Sequence, residues 1–235
     1  MESKQLKNGV TLHLLWLVFM ACACLGVLLF EAGCFIPAIS VMGTPTKSEA
    51  RGSAEYDLLA NKGQKILVLV DQPAYLKAPP NLRYFLTDSI NKLLQSKAKI
   101  PAEVFIDYDN LSDYRANASD FSLLAPQQVG AALGADMVLV VDISDYRIQE
   151  LSEAGLYSGI LDARAYLVGV AAGDKLWPAM EQSRLIQVGF ESERRGRDAA
   201  VVRLAAAAAH CVTRSLYNCP KTQFKIADER TTAGW

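Results

Sequence analysis

Histidine is nearly absent from this chain: its 235 residues include two, His13 and His210, alongside three tryptophans. A multi-histidine metal centre therefore cannot be assembled, and the His-Glu-x-x-His pattern does not occur. Neither a phosphate-binding loop nor a dinucleotide glycine fingerprint is found. The nearest approach to a serine nucleophile elbow is Gly155-Leu-Tyr-Ser-Gly159. Ser158 lies one position too late there for the tight Gly-x-Ser-x-Gly turn. The acidic stretch carrying Asp107, Asp109, Asp113 and Asp120 offers the oxygen ligands that calcium favours. Leu111 occupies a ligand position, however, and Ser112 stands where a calcium loop turns on glycine, so a solvated loop is expected. His210, between Arg203 and Arg214 on a helix, is expected at the surface. No nucleophile, base and orienting group can be assembled, and the expectation is no catalytic residue, no metal and no cofactor.

A charge excess of either sign is missing too. Lysine and arginine number 24 against 25 acids, for a net charge of −1, and the isoelectric point is near 6.2. Nucleic-acid binders carry a basic stripe, so that class is excluded. The basic cluster Glu193, Arg194, Arg195, Arg197 brings its own acids, Glu191 and Asp198, and is expected as a solvated helix entry.

What is present is a long apolar run, Thr11 to Phe30, behind Lys4 and Lys7. Twenty helical residues span about 30 Å, the thickness of a bilayer's hydrocarbon core, and positive flanks favour a cytoplasmic amino terminus. At the end of the run, Ala32-Gly33-Cys34 resembles the lipobox of bacterial lipoproteins, with Glu31 as a departure from its aliphatic position. That resemblance implies lipidation of Cys34. The length of the run also fits an uncleaved signal anchor, and plain secretion is a third outcome. Residues 1–34 are thus expected as signal peptide or anchor, 35–63 as flexible linker, 64–218 as one α/β domain and 219–235 as flexible tail.

Within the domain, Lys65 to Val70 is a continuous aliphatic run that fits a strand buried on both faces. Leu82, Leu86, Ile90, Leu93 and Leu94 recur at helical spacing. Glu103 to Ile106 reads as a second strand, Asp107 to Asp120 as loop, and Pro126 to Leu133 as a helix stopped by Gly134. Asp136 to Ile143 is a third strand, followed by a polar connection over residues 145–158. Leu161 to Ala171 and Leu185 to Phe190 read as a hairpin about Gly173, and Arg197 to Tyr217 as a final helix. The order is β-α-β-α-β-β-β-α, an α/β (α+β) fold with a single mixed sheet of three to five strands and helices packed on it.

The segment Pro126 to Asp136, followed at once by the strand Met137 to Ile143, resembles an element of envelope lipoproteins. The group comprises the curli-secretion lipoproteins, the penicillin-binding-protein activator lipoproteins and the amino-terminal domain of TolB. Tyr166 to Trp177, with Gly173 at the turn, is similar to a later strand and turn of that group. The resemblance implies a periplasm-facing adaptor or assembly domain that binds another envelope protein. No counterpart to membrane-spanning hairpins is found in residues 145–158.

Cysteines number five. Cys22 and Cys24 fall in the apolar run, and once Cys34 is set aside Cys211 and Cys219 are left. Pairing of these two is possible in an oxidising compartment. Eight helical residues separate Cα atoms by about 12 Å, against a limit of about 7 Å for a disulfide, so a buried free thiol at Cys211 is the competing reading. The expected function is a membrane-tethered, non-catalytic adaptor of the cell envelope with its domain on the periplasmic side. The alternative is a small-molecule-binding auxiliary lipoprotein of a transport system.

Overall fold

The computed structural model describes residues 52–61, 63–79, 81–152 and 155–230. Among them no helix is long and apolar enough to cross a membrane; the apolar run and Cys34 lie outside the described residues.

The aliphatic run forms β1 (Ile66–Asp71), with its first five residues buried. It pairs in parallel with the start of β2 (Met137–Ser152), from Ile66 against Met137 to Asp71 against Asp142. Between them the chain forms α1 (Leu82–Lys97), α2 (Tyr108–Asn117) and α3 (Pro126–Ala132). β2 turns back into β3 (Leu156–Gly169), and β3 pairs on its other edge with β4 (Lys175–Trp177) and β5 (Arg184–Glu193). α4 (Arg197–Thr213) and the short α5 (Lys221–Phe224) follow. The result is one open five-stranded mixed sheet with helices packed on it, in agreement with the expected class.

Side chains alternate across the sheet, and the alternation divides the core. Val68, Val70, Leu139, Val141, Leu161, Ala163, Ala165 and Leu167 pack under α1 and α4. Leu67, Leu69, Val138, Val140 and Val168 face the other way, against Leu111 of α2 and Val129 of α3. Each fully buried aliphatic side chain contributes roughly 1.5–3 kcal/mol. α4 meets the core through Ala200, Ala205, Ala208 and Ala209, all with no exposed surface, so its backbone lies close to its neighbours. On α3, a Cβ added to Gly130 would come 2.6 Å from Val138 Cγ2 and 2.7 Å from Val170 Cγ2. Gly130→Ala is therefore expected to destabilise the domain by about 1–3 kcal/mol, read from a denaturant midpoint. Gly134, at φ +70°, ends α3 in the left-handed region where glycine costs least.

Four expectations are corrected. Glu103 to Ile106 is no strand but a 3₁₀ turn, Ala102–Val104, with a single parallel bridge from Phe105 to Ile66. Asp107 to Asp120 is not a loop, for it holds α2, which docks chiefly through Leu111; so short an apolar signature is easily lost in a polar run. Residues 145–158 are not a connection but the distal part of the β2–β3 hairpin. A register shift between Ile143 and Asp145 puts the next buried residue at Tyr146, three positions on, which hides the two-residue period. Finally, the folded part begins before residue 64 and continues past 218. Leu58 is buried, Gly52 N donates to Cys219 O at 2.9 Å, and residues 228–230 bond to β5.

Candidate functional site

Three features of the sheet border bear on function: two edges that are partly covered and one long stretch that is not. The outer edge of β1 is closed by the Phe105 bridge, by Ile106 N donating to Ile66 O at 2.9 Å, and by Arg115, whose guanidinium donates to Val70 O at 2.9 Å. The middle of β5's outer edge, residues 187–189, is covered by a strap formed from residues 226–230. Gly189 N donates to Asp228 O at 2.8 Å and Arg230 N to Gln187 O at 3.0 Å.

Ion pairs pin that strap. Arg203 forks onto Asp228 at 2.6 and 2.8 Å, Arg214 onto Glu229 at 2.6 and 2.7 Å, and Arg230 reaches Asp162 at 3.0 Å. Hydrogen bonds from Arg214 hold Glu229 below the usual carboxylate range. Beside the strap, Arg195 bonds Glu193 and lowers its carboxyl from 4.5 to about 2. A carboxylate depressed on folding stabilises the fold above its unfolded value and loses that contribution as pH falls through the folded one. Thermal midpoints are accordingly expected to decline from pH 5 toward pH 2, and Glu193→Gln to flatten part of that decline, as followed by circular dichroism.

β2 differs from β1 and β5. Beyond Asp142 it has lost β1 as a neighbour, yet it runs on to Ser152 paired only with β3. Among the described residues no other backbone segment bonds to this stretch. Tyr146 is buried and Ile148 half-buried on one face, while Asp145 and Arg147 form an ion pair of 3.4 Å on the other. Leu151 near its tip is 50% exposed. An unpaired row of N–H and C=O groups of this length is a template for another strand.

A cleft of about 410 Å³ opens where β1 stops and this free edge starts, lined by Asp71, Gln72, Tyr75, Asp142, Ser144 and Arg164 among others. The parallel register sets Asp71 beside Asp142, and the antiparallel register sets Asp142 beside Arg164. Asp71 is answered by Arg115 at 3.7 Å and Arg83 at 4.0 Å. Asp142 has no ion-pair partner among the described residues. Desolvation by its surroundings, then the charge of Asp71, raise its carboxyl above the ordinary value. Tyr166 is raised by burial and by the same two carboxylates.

The residues singled out from the sequence do not converge. Cys211 and Cys219 are buried free thiols. Burial pushes Cys211 up to about 11, while Cys219 Sγ lies 3.6 Å from Pro220 O. His210 sits on α4 with Nε2 3.3 Å from Phe224 O, half-covered by α5 rather than fully at the surface. Ser158 lies within the β2–β3 ladder opposite Gln149. Asp107, Asp109, Asp113 and Asp120 lie in or beside α2, and no group of three or more metal-ligating side chains occurs among the described residues. Asp71, Asp142 and Arg164 are far apart in sequence and meet only through strand register. The available signal was that two aliphatic runs, ending at Val70 and Val141, are each followed by aspartate.

No family model matches this chain, and no curated protein matches it. Solved structures to which this chain is similar include the lipoprotein GNA1162 from Neisseria meningitidis, at 18% identity over 61% of this chain and 94% of that one, with a TM-score of 0.39. The PelC dodecamer from Paraburkholderia phytofirmans is 13% identical over 71% of this chain and 96% of its own, with a TM-score of 0.41. The LpoB C-terminal domain from Salmonella enterica is 17% identical over 65% and 93%, with a TM-score of 0.33. Identities and scores this low do not extend to partner or activity.

Proposed function

We propose that this chain is a membrane-tethered, non-catalytic docking domain of the cell envelope, which binds an extended segment of a partner protein along the free edge of β2. The observation that carries this reading is that edge, Ile143 to Ser152, paired only with β3 among the described residues. Strand addition draws affinity from main-chain hydrogen bonds and specificity from alternate side chains. Arg147 and Gln149 are exposed on this stretch and available for such selection.

The tether rests on the sequence of residues 11–34: a bilayer-length apolar run ending in Ala32-Gly33-Cys34. The likeness of Pro126 to Asp136 and Tyr166 to Trp177 to curli-secretion and penicillin-binding-protein activator lipoproteins supports a periplasm-facing adaptor. Two measurements test the two halves. Intact mass of the membrane-extracted protein is expected to give a chain that starts at a lipidated Cys34; an unprocessed amino terminus makes it a signal anchor, and a water-soluble cleaved chain removes the tether. A photo-crosslinking side chain at Gln149 is expected to give one defined adduct in intact cells, and the same group at Lys92 of α1 none. Equal labelling from both positions, or none from Gln149, contradicts edge docking.

A further inference from the structure

The cleft between the ends of β1 and the free edge holds two opposite charges that do not pair. Asp142 and Arg164 are direct cross-strand neighbours, a placement that brings Cβ atoms to roughly 5 Å. No ion pair joins them, and neither has another ion-pair partner among the described residues. The neighbouring carboxylate is otherwise engaged, since Arg83 and Arg115 answer Asp71. Ser144 Oγ is committed to Asp162 O at 3.2 Å.

The available groups are therefore a carboxylate and a guanidinium. An ammonium donates to a carboxylate, and a carboxylate matches the fork of an arginine. The volume, about 410 Å³, lies within the range of small-ligand sites. The location is the carboxyl end of the parallel strand pair, where open α/β sheets commonly bind ligands. Tyr75, 77% exposed, stands at the rim with its ring free to cover a side chain.

We propose that this cleft binds a small zwitterion of the α-amino-acid class, with its ammonium on Asp142 and its carboxylate on Arg164. Neutralising Asp142 in this way relieves the desolvated charge that Asp71 aggravates. Binding here is separable from docking along β2, because changes confined to residues 149 and 150 leave the cleft intact.

The test is titration of the full chain in detergent with L-alanine, followed by amide NMR shifts, beside acetate and methylammonium as single-charge controls. Saturable shifts at Asp142, Ser144 and Arg164 are expected with L-alanine, and weaker binding with either control. Asp142→Asn and Arg164→Gln should each weaken L-alanine about tenfold, with thermal midpoints no lower than that of the unaltered chain. Absence of saturable shifts, or shifts that survive both substitutions, overturns the proposal. So does acetate or methylammonium binding as tightly as L-alanine, a comparison on the unaltered chain that no folding defect can confuse.

Discussion

Trp177→Ala is expected to lower stability by about 3–5 kcal/mol, and the thermal midpoint of a domain this size by about 10 °C. Trp177 has no exposed surface, though it lies on the three-residue β4. Its indole Nε1 donates to Glu55 Oε2 at 2.9 Å, and the Arg184 guanidinium, 6.0 Å from the ring, bonds the same oxygen at 2.5 Å. The ring thus joins the segment before β1 to the sheet. Removing it opens a cavity and leaves the Glu55–Arg184 pair without its apolar cover. Trp177→Phe keeps most of the volume and drops the hydrogen bond, so a loss of about 1–2 kcal/mol is expected. Chemical denaturation of both variants checks the ordering, and equal losses would show that the hydrogen bond, not the packing, is what matters.

The second large effect concerns β2. In an antiparallel ladder successive amides point to opposite neighbours. Residues 145–150 are in regular register with β3, from Asp145 against Asp162 to Glu150 against Tyr157. Of the exposed neighbours Gln149 and Glu150, one therefore donates to β3 and the other points to the free edge. Proline removes the donor. One of Gln149→Pro and Glu150→Pro is expected to lose about 1–3 kcal/mol. The other should keep its thermal midpoint yet abolish the adduct formed from Leu151 by a crosslinking group placed there. If both prolines are tolerated and both leave the adduct, the partner does not pair with this edge.

How much of this could be read in the sequence depended on whether a feature was local. The run at Lys65 to Val70, the helically spaced leucines and isoleucine of α1 and the alanine-lined α4 each announce themselves within a few residues, and each forms where expected, α4 ending at Thr213 rather than Tyr217. Gly134 and Gly173, both at positive φ, serve the turns read for them. The distal hairpin was hidden because one irregularity after Ile143 shifts the alternation that identifies a strand. The strap was hidden because its stability comes from arginines far away in sequence: Arg203 and Arg214 on α4 hold Asp228 and Glu229. The cleft needed the register itself, since Asp71 and Asp142 are 71 residues apart and become neighbours only through parallel pairing. The free edge needed most of all, because it exists only by β1 being shorter than β2.

The most direct test of that edge is amide hydrogen exchange over residues 143–152, with the detergent-purified chain compared with the chain in native membranes. Purified protein is expected to show alternate fast and slow amides across this stretch, and the fast ones are expected to become protected in membranes that contain the partner. Uniform protection in the purified chain, or identical exchange in both states, would contradict a free edge that docks another protein.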